Sequence, residues 1–159
     1  MSIDEKSVPM PERDPLERVD SFNEVPKGYD VELAVKEAGR CLQCDPAPCV
    51  EGCPVGVDIP GFIDRINNRD FQGAINEIKG TNNLPAVCGR VCPQEEQCQK
   101  VCTLGQNYEP VEIGRLERFA ADWERENGKA DPSVEELREG RVAVVGSGPS
   151  GLTAASDLR

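Results

Sequence analysis

Cys41-Leu42-Gln43-Cys44-Asp45-Pro46-Ala47-Pro48-Cys49-Val50-Glu51-Gly52-Cys53-Pro54 and, downstream, Cys88-Gly89-Arg90-Val91-Cys92-Pro93-Gln94-Glu95-Glu96-Gln97-Cys98-Gln99-Lys100-Val101-Cys102 hold all eight cysteines of the chain. The first set is spaced C-x2-C-x4-C-x3-C-P. A C-x2-C step lets two thiolates bind one iron–sulfur cube, and in two-cluster ferredoxins the cysteine before proline ligates the other cluster. Transferred here, that logic assigns Cys41, Cys44 and Cys49 to one 4Fe–4S cluster and sends Cys53 to a second. Cys92 and Cys98 would join Cys53, and Cys102 would cross back to complete the first. By arithmetic alone Cys88 supplies the eighth thiolate.

Composition supports a metal reading. The 159 residues carry 29 acidic and 18 basic side chains, a net charge of -11, and no histidine. So acidic a chain is a poor partner for nucleic acid or anionic membrane surfaces. Apolar residues make up 38% and aromatics 4%, so the expected core is thin and needs staples. No apolar run approaches the roughly 20 residues of a membrane span. Met1 to Pro15 has no signal-peptide pattern, which points to the cytoplasm. Thiols there stay reduced, so clustered cysteines hold metal more often than they form disulfides. Two four-cysteine zinc sites, in an interaction module without redox chemistry, are the competing structural reading. Such sites pair two short knuckles per metal, whereas only one C-x2-C step exists and both C-P dipeptides suit clusters.

Around the cysteines the pattern is helical. Residues 1–29 are broken by Pro9, Pro11, Pro15 and Pro26. They are expected to form a disordered tail or an extended arm that packs on a partner through Val8, Met10, Leu16, Val19 and Phe22. Asp30, Asp58 and Asp70 are each placed to cap a helix. Cys44 to Val57 is expected to be loop, a short helix precedes Pro93, and Glu95–Val101 allows one or two turns. The clearest amphipathic helix carries Ile113, Leu116, Phe119, Ala120 and Trp123 and ends near Gly128. Residues 129–140 are a charged linker with a short helix possible after Ser133. Arg141-Val142-Ala143-Val144-Val145 has the pattern of a buried strand running into Gly146-Ser147-Gly148-Pro149-Ser150-Gly151, a G-x-G-x-x-G turn that opens a helix. In that context the glycines admit a pyrophosphate at a helix N-terminus. The βαβ unit is unfinished at Arg159, so 141–159 is expected to be the truncated start of a Rossmann domain that binds nothing alone.

Taken together, Pro9 to Glu12, Cys41 to Pro54, Val57 to Pro60, Leu84 to Cys98, Ile113 to Arg118 and Val142 to Ala155 resemble the N-terminal region of the NADPH-dependent glutamate synthase small (beta) subunit family. A similar module occurs in the large subunit of NADH-dependent ferredoxin:NADP oxidoreductase and in dihydropyrimidine dehydrogenase. The resemblance implies a mainly α domain at 30–128, carrying two 4Fe–4S clusters and followed by a domain that binds FAD and NADPH. Electrons would pass from NADPH through FAD and the clusters to a flavin on a partner. That partner is the glutamate synthase large subunit or, in the alternative, the small subunit of a bifurcating ferredoxin:NADP oxidoreductase. The fragment alone is not expected to be catalytic. The resemblance also implies that Glu117, rather than Cys88, is the fourth ligand of the second cluster.

Overall fold

A computed structural model describes residues 4–128 and 140–158. The described part is helical and contains no β-strand; one isolated bridge joins Glu12 to Pro26. The helices run α1 (Pro15–Arg18), α2 (Val31–Ala38), α3 (Pro48–Glu51), α4 (Ile59–Asn67), α5 (Phe71–Lys79), α6 (Pro85–Val91), α7 (Ile113–Asn127) and α8 (Pro149–Asp157), with 3-10 turns at Gln94–Glu96 and Thr103–Gln106. Among the described residues no helix is long and apolar enough to cross a membrane.

Three aspartates start three of these helices. Asp30 accepts from the Leu33 N–H at 2.9 Å, Asp58 from Gly61 at 3.0 Å and Asp70 from Gly73 at 2.9 Å. Each cap contributes about 1 kcal/mol by satisfying an orphan amide. The apolar stripes behind the caps then meet. Ile59, Phe62, Ile63 and Ile66 of α4, Ala74, Ile75 and Ile78 of α5, and Leu116, Phe119 and Ala120 of α7 are buried together. Each fully buried Ile or Phe contributes roughly 1.5–3 kcal/mol. Phe71 extends the stripe, standing edge-on to Phe119 at 5.2 Å between centroids and tilted on Trp123 at 5.5 Å.

The core also contains a charge pair. Glu37 and Arg40 are 0% and 2% exposed, with 2.6 Å between Oε1 and Nη1. Glu37 accepts from the backbone N–H of Val8 at 2.7 Å and of Glu112 at 2.9 Å. Arg40 donates to the carbonyls of Asp4, Glu109 and Pro110. The pair thus stitches the N-terminal segment, α2 and the lead into α7. Part of the N-terminal segment packs on its own core: Val8 is buried and Met10 lies against the core cluster, while Leu16, Val19 and Phe22 are exposed. Arg90 joins Glu24 to Asp122, and Arg118 donates to the Pro26 carbonyl.

Four local expectations need correction. Pro15 starts a helix instead of excluding one, because at the first helical position its missing N–H is not needed. Within the expected Cys44–Val57 loop, Pro48 starts α3 by the same logic. The turns expected over Glu95–Val101 open one residue earlier, with a 3-10 turn at Gln94–Glu96, and an unexpected 3-10 turn follows at Thr103–Gln106. Arg141–Val145 is neither a strand nor buried; Val145 is 97% exposed, since a lone strand has no ladder to complete. Most of the expected linker, including the helix after Ser133, lies outside the described residues.

Removing one member of the buried pair leaves the other desolvated and alone, at a cost of roughly 3–5 kcal/mol. Glu37→Ala is therefore expected to lower unfolding free energy by about that amount in urea titration and to expose residues 4–29 to limited proteolysis. Unchanged stability would show that the pair is incidental.

Candidate metal centre

Each cysteine loop is shaped by a few backbone constraints. Gln43, inside the C-x2-C step, has φ +51°, and its side chain donates to the Pro60 carbonyl at 3.1 Å. A non-glycine residue in that region is costly, so the tie to Pro60 supports the turn that brings Cys41 and Cys44 together. Gly52 lets the first loop reach the second: a Cβ there would lie 3.1 Å from the Gln97 oxygen and 3.3 Å from Cys98 Cα. At Gly89 a Cβ would lie 2.6 Å from the Arg118 N and 2.8 Å from its Cα, so α6 meets α7 backbone to backbone. Gly114 likewise leaves room for Gln94, which donates to the Cys88 carbonyl.

The outcome is two cavities. Cys41, Cys44, Cys49 and Cys102 line the first, with Ile63 and Leu104. Cys53, Cys88, Cys92 and Cys98 line the second, with Asn82 and Glu117. Ile59 and Ile113 line both and form the wall between them. All eight thiols are free. Cys53 and Cys102 do stand with the other loop's cysteines. Among the described residues no three Cys, Asp or Glu side chains converge on a single-ion position.

The electrostatics fit a cationic guest. Burial pushes Cys98 up to about 12 and Cys49 and Cys92 to about 11, and raises Cys41. Glu117 is pushed up to about 7, burial again being the cause and the Asn82 hydrogen bond opposing it. Desolvation favours the neutral forms of these donors, and a metal's positive charge would favour their anionic forms.

Both Cys88 and Glu117 face the second cavity, so position alone does not separate the two candidate ligands. Asn82, which the sequence reading missed, touches both. Its Nδ2 donates to Glu117 Oε1 at 2.7 Å, and its Oδ1 lies 3.6 Å from Cys88 Sγ. Nothing in Thr81-Asn82-Asn83 marks it beyond an ordinary turn signal. In the C-terminal piece, Gly146 has φ +116°, Gly148 caps α8, and a Cβ at Gly151 would collide with the Gly146 oxygen. The tight glycine turn forms, without a described sheet around it.

A protein-family profile described as dihydropyrimidine dehydrogenase domain II, 4Fe-4S cluster, matches residues 18–129. The chain is 43% identical over 139 residues to NAD-dependent dihydropyrimidine dehydrogenase subunit PreT of Escherichia coli (strain K12), covering 86% of this chain and 33% of that protein. It is 35% identical over 153 residues to the glutamate synthase (NADPH) small chain of Azospirillum brasilense, covering 94% and 32% respectively. The corresponding chain of Mycobacterium tuberculosis (strain ATCC 25618 / H37Rv) is 37% identical over 151 residues, covering 94% and 30%. The chain thus spans about a third of the length of these relatives.

Two measurements test this geometry. Gly89→Ala should destabilise by roughly 1–3 kcal/mol through overpacking, whereas Gly39→Ala, whose Cβ meets nothing closer than 3.5 Å, should be near neutral in the same urea titration. Equal effects would refute the close approach. In metal-free protein, the raised thiols and Tyr29, also pushed to about 12 by burial, stabilise the fold fully below their ordinary values. As pH rises the unfolded chain ionises first, so the urea midpoint should fall between about pH 8.5 and about pH 12. A flat profile would mean the thiols are solvated.

Proposed function

This chain belongs to the family of dihydropyrimidine dehydrogenase domain II, a 4Fe-4S cluster domain, and we propose that it is an electron-transfer module carrying two such clusters. Cys41, Cys44, Cys49 and Cys102 would hold one, and Cys53, Cys92, Cys98 and Glu117 the other. The observation that carries this reading is the crossed partition of the thiols between two cavities. When bound, each cluster would take up and release one electron at a time. The protein's own contribution is to supply the anionic donors, bury them from water and separate the two sites by two isoleucines.

For the second site, Glu117 is preferred to Cys88. Among the described residues Asn82 is the only hydrogen-bond partner of the Glu117 side chain, and no cation pairs with it. A buried carboxylate so placed is costly unless a metal neutralises it. Cys88, by contrast, already has the Asn82 oxygen as a hydrogen-bond acceptor.

In this proposal residues 30–128 are the iron–sulfur domain, 1–29 an arm, 129–140 a linker and 141–159 the start of an FAD-binding Rossmann domain. Gly146, Gly148 and Gly151 would face the FAD pyrophosphate in the complete protein. That protein would relay electrons from NADPH through FAD and the clusters to a flavin on a partner subunit. In the glutamate-synthase form, which the small-chain relatives support, the partner forms glutamate from glutamine and 2-oxoglutarate. The 43% identity to the PreT subunit supports a second form, an NAD-dependent dihydropyrimidine dehydrogenase subunit.

Protein purified without oxygen should contain about eight irons and eight sulfides per chain. About two zinc ions and no sulfide would overturn the reading. Glu117→Ala should lose or convert one cluster while the other survives, and Cys88→Ala should leave iron content nearly unchanged. The reverse pattern would assign the ligand to Cys88.

A further inference from the structure

We propose that Asn82 is a positioning residue for the second cluster, holding Glu117 so that a single carboxylate oxygen faces the iron. The inference rests on the reading of Glu117 as a ligand and adds what sets its geometry. Asn82 is 6% exposed, at the turn between α5 and α6. Its orientation follows from its backbone partner. The Leu84 N–H, which can only donate, lies 2.9 Å from Oδ1, so that atom is the amide oxygen. Cys88 Sγ donates weakly to the same oxygen at 3.6 Å. The amide nitrogen must then face Glu117, where it donates to Oε1 at 2.7 Å.

Two consequences follow for the carboxylate. Oε1 is engaged, and Oε2 has no hydrogen-bond donor among the described residues, so Oε2 is the oxygen left for metal. Donation to Oε1 also draws charge away from the carboxylate, making it a weaker donor to iron. Outer hydrogen bonds of this kind orient metal ligands and tune the potential of the centre they hold. Asn82 thereby distinguishes the second cluster from the first, whose lining contains no carboxylate or amide side chain.

A purely structural role makes a different claim. As a turn residue, Asn82 serves only to satisfy the Leu84 N–H, and aspartate does that equally well. Asn82→Asp keeps the turn oxygen but replaces the donor facing Glu117 with a charged acceptor. It separates the two roles. Full-length protein purified without oxygen would be titrated with dithionite and followed by electron paramagnetic resonance. The positioning role predicts that Asn82→Asp lowers the midpoint potential of the second cluster, or loses that cluster alone, while the first cluster's spectrum and potential are unchanged. Asn82→Ala should also alter only the second cluster's signal. In a Glu117→Cys background, where a thiolate replaces the positioned oxygen, Asn82→Asp should no longer alter the coordination signature of the second cluster. Silence of Asn82→Asp alongside a damaging Glu117→Ala would overturn the positioning role and leave Glu117 as ligand. Silence of Glu117→Ala itself would overturn the underlying assignment instead.

Discussion

One buried carboxylate holds the frame of the first site. Glu37 receives hydrogen bonds from Val8, Arg40 and Glu112, which lie far apart in sequence. Arg40 directly precedes Cys41, and Glu112 directly precedes Ile113, the residue that lines both cavities. The positions of a thiol and of the dividing wall are therefore set together by one ion pair. Because both charges are almost wholly desolvated, alternatives that separate them are expensive, and the arrangement is closer to a lock than to a loose contact.

The second site is framed by absence of side chains. Gly89 and Gly114 bring α6 and the Gln94 turn onto α7, and Gly52 brings Cys53 against Cys98. Three glycines do there what an ion pair does at the first site. This difference matches what each cavity contains: four thiols alone in one, and thiols together with a carboxylate and an amide in the other.

Much of this was legible beforehand because the relevant signals are local. Aspartate caps, apolar spacing and proline stops act within one turn, and α2, α4, α5 and α7 all begin within a residue or so of the expected positions. That Cys53 lines a cavity with the second loop's cysteines agrees with the Cys53-Pro54 signal, whereas Cys102 precedes Thr103 and was placed only by the likeness of the second set to the first. What escaped depends on distant partners. Nothing near Glu37 announces that it will be buried with Arg40, and nothing near Asn82 announces Glu117. The error at Val142–Val145 has the same origin: an apolar run specifies a strand only when neighbouring strands complete it, and none is described here. Periodicity likewise did not reveal α1 or α3, each a single turn started by proline.

The wall of Ile59 and Ile113 ties the fates of the two cavities. Each cavity takes thiols from both cysteine loops, so neither loop can peel away without opening both. A solvent molecule or oxidant that gained one site by loop opening would thereby gain a path to the other. Conversely, filling either site would restrain the donors of its neighbour before that neighbour is filled. The two sites are separate in chemistry but share one wall, and each draws its thiols from both cysteine loops.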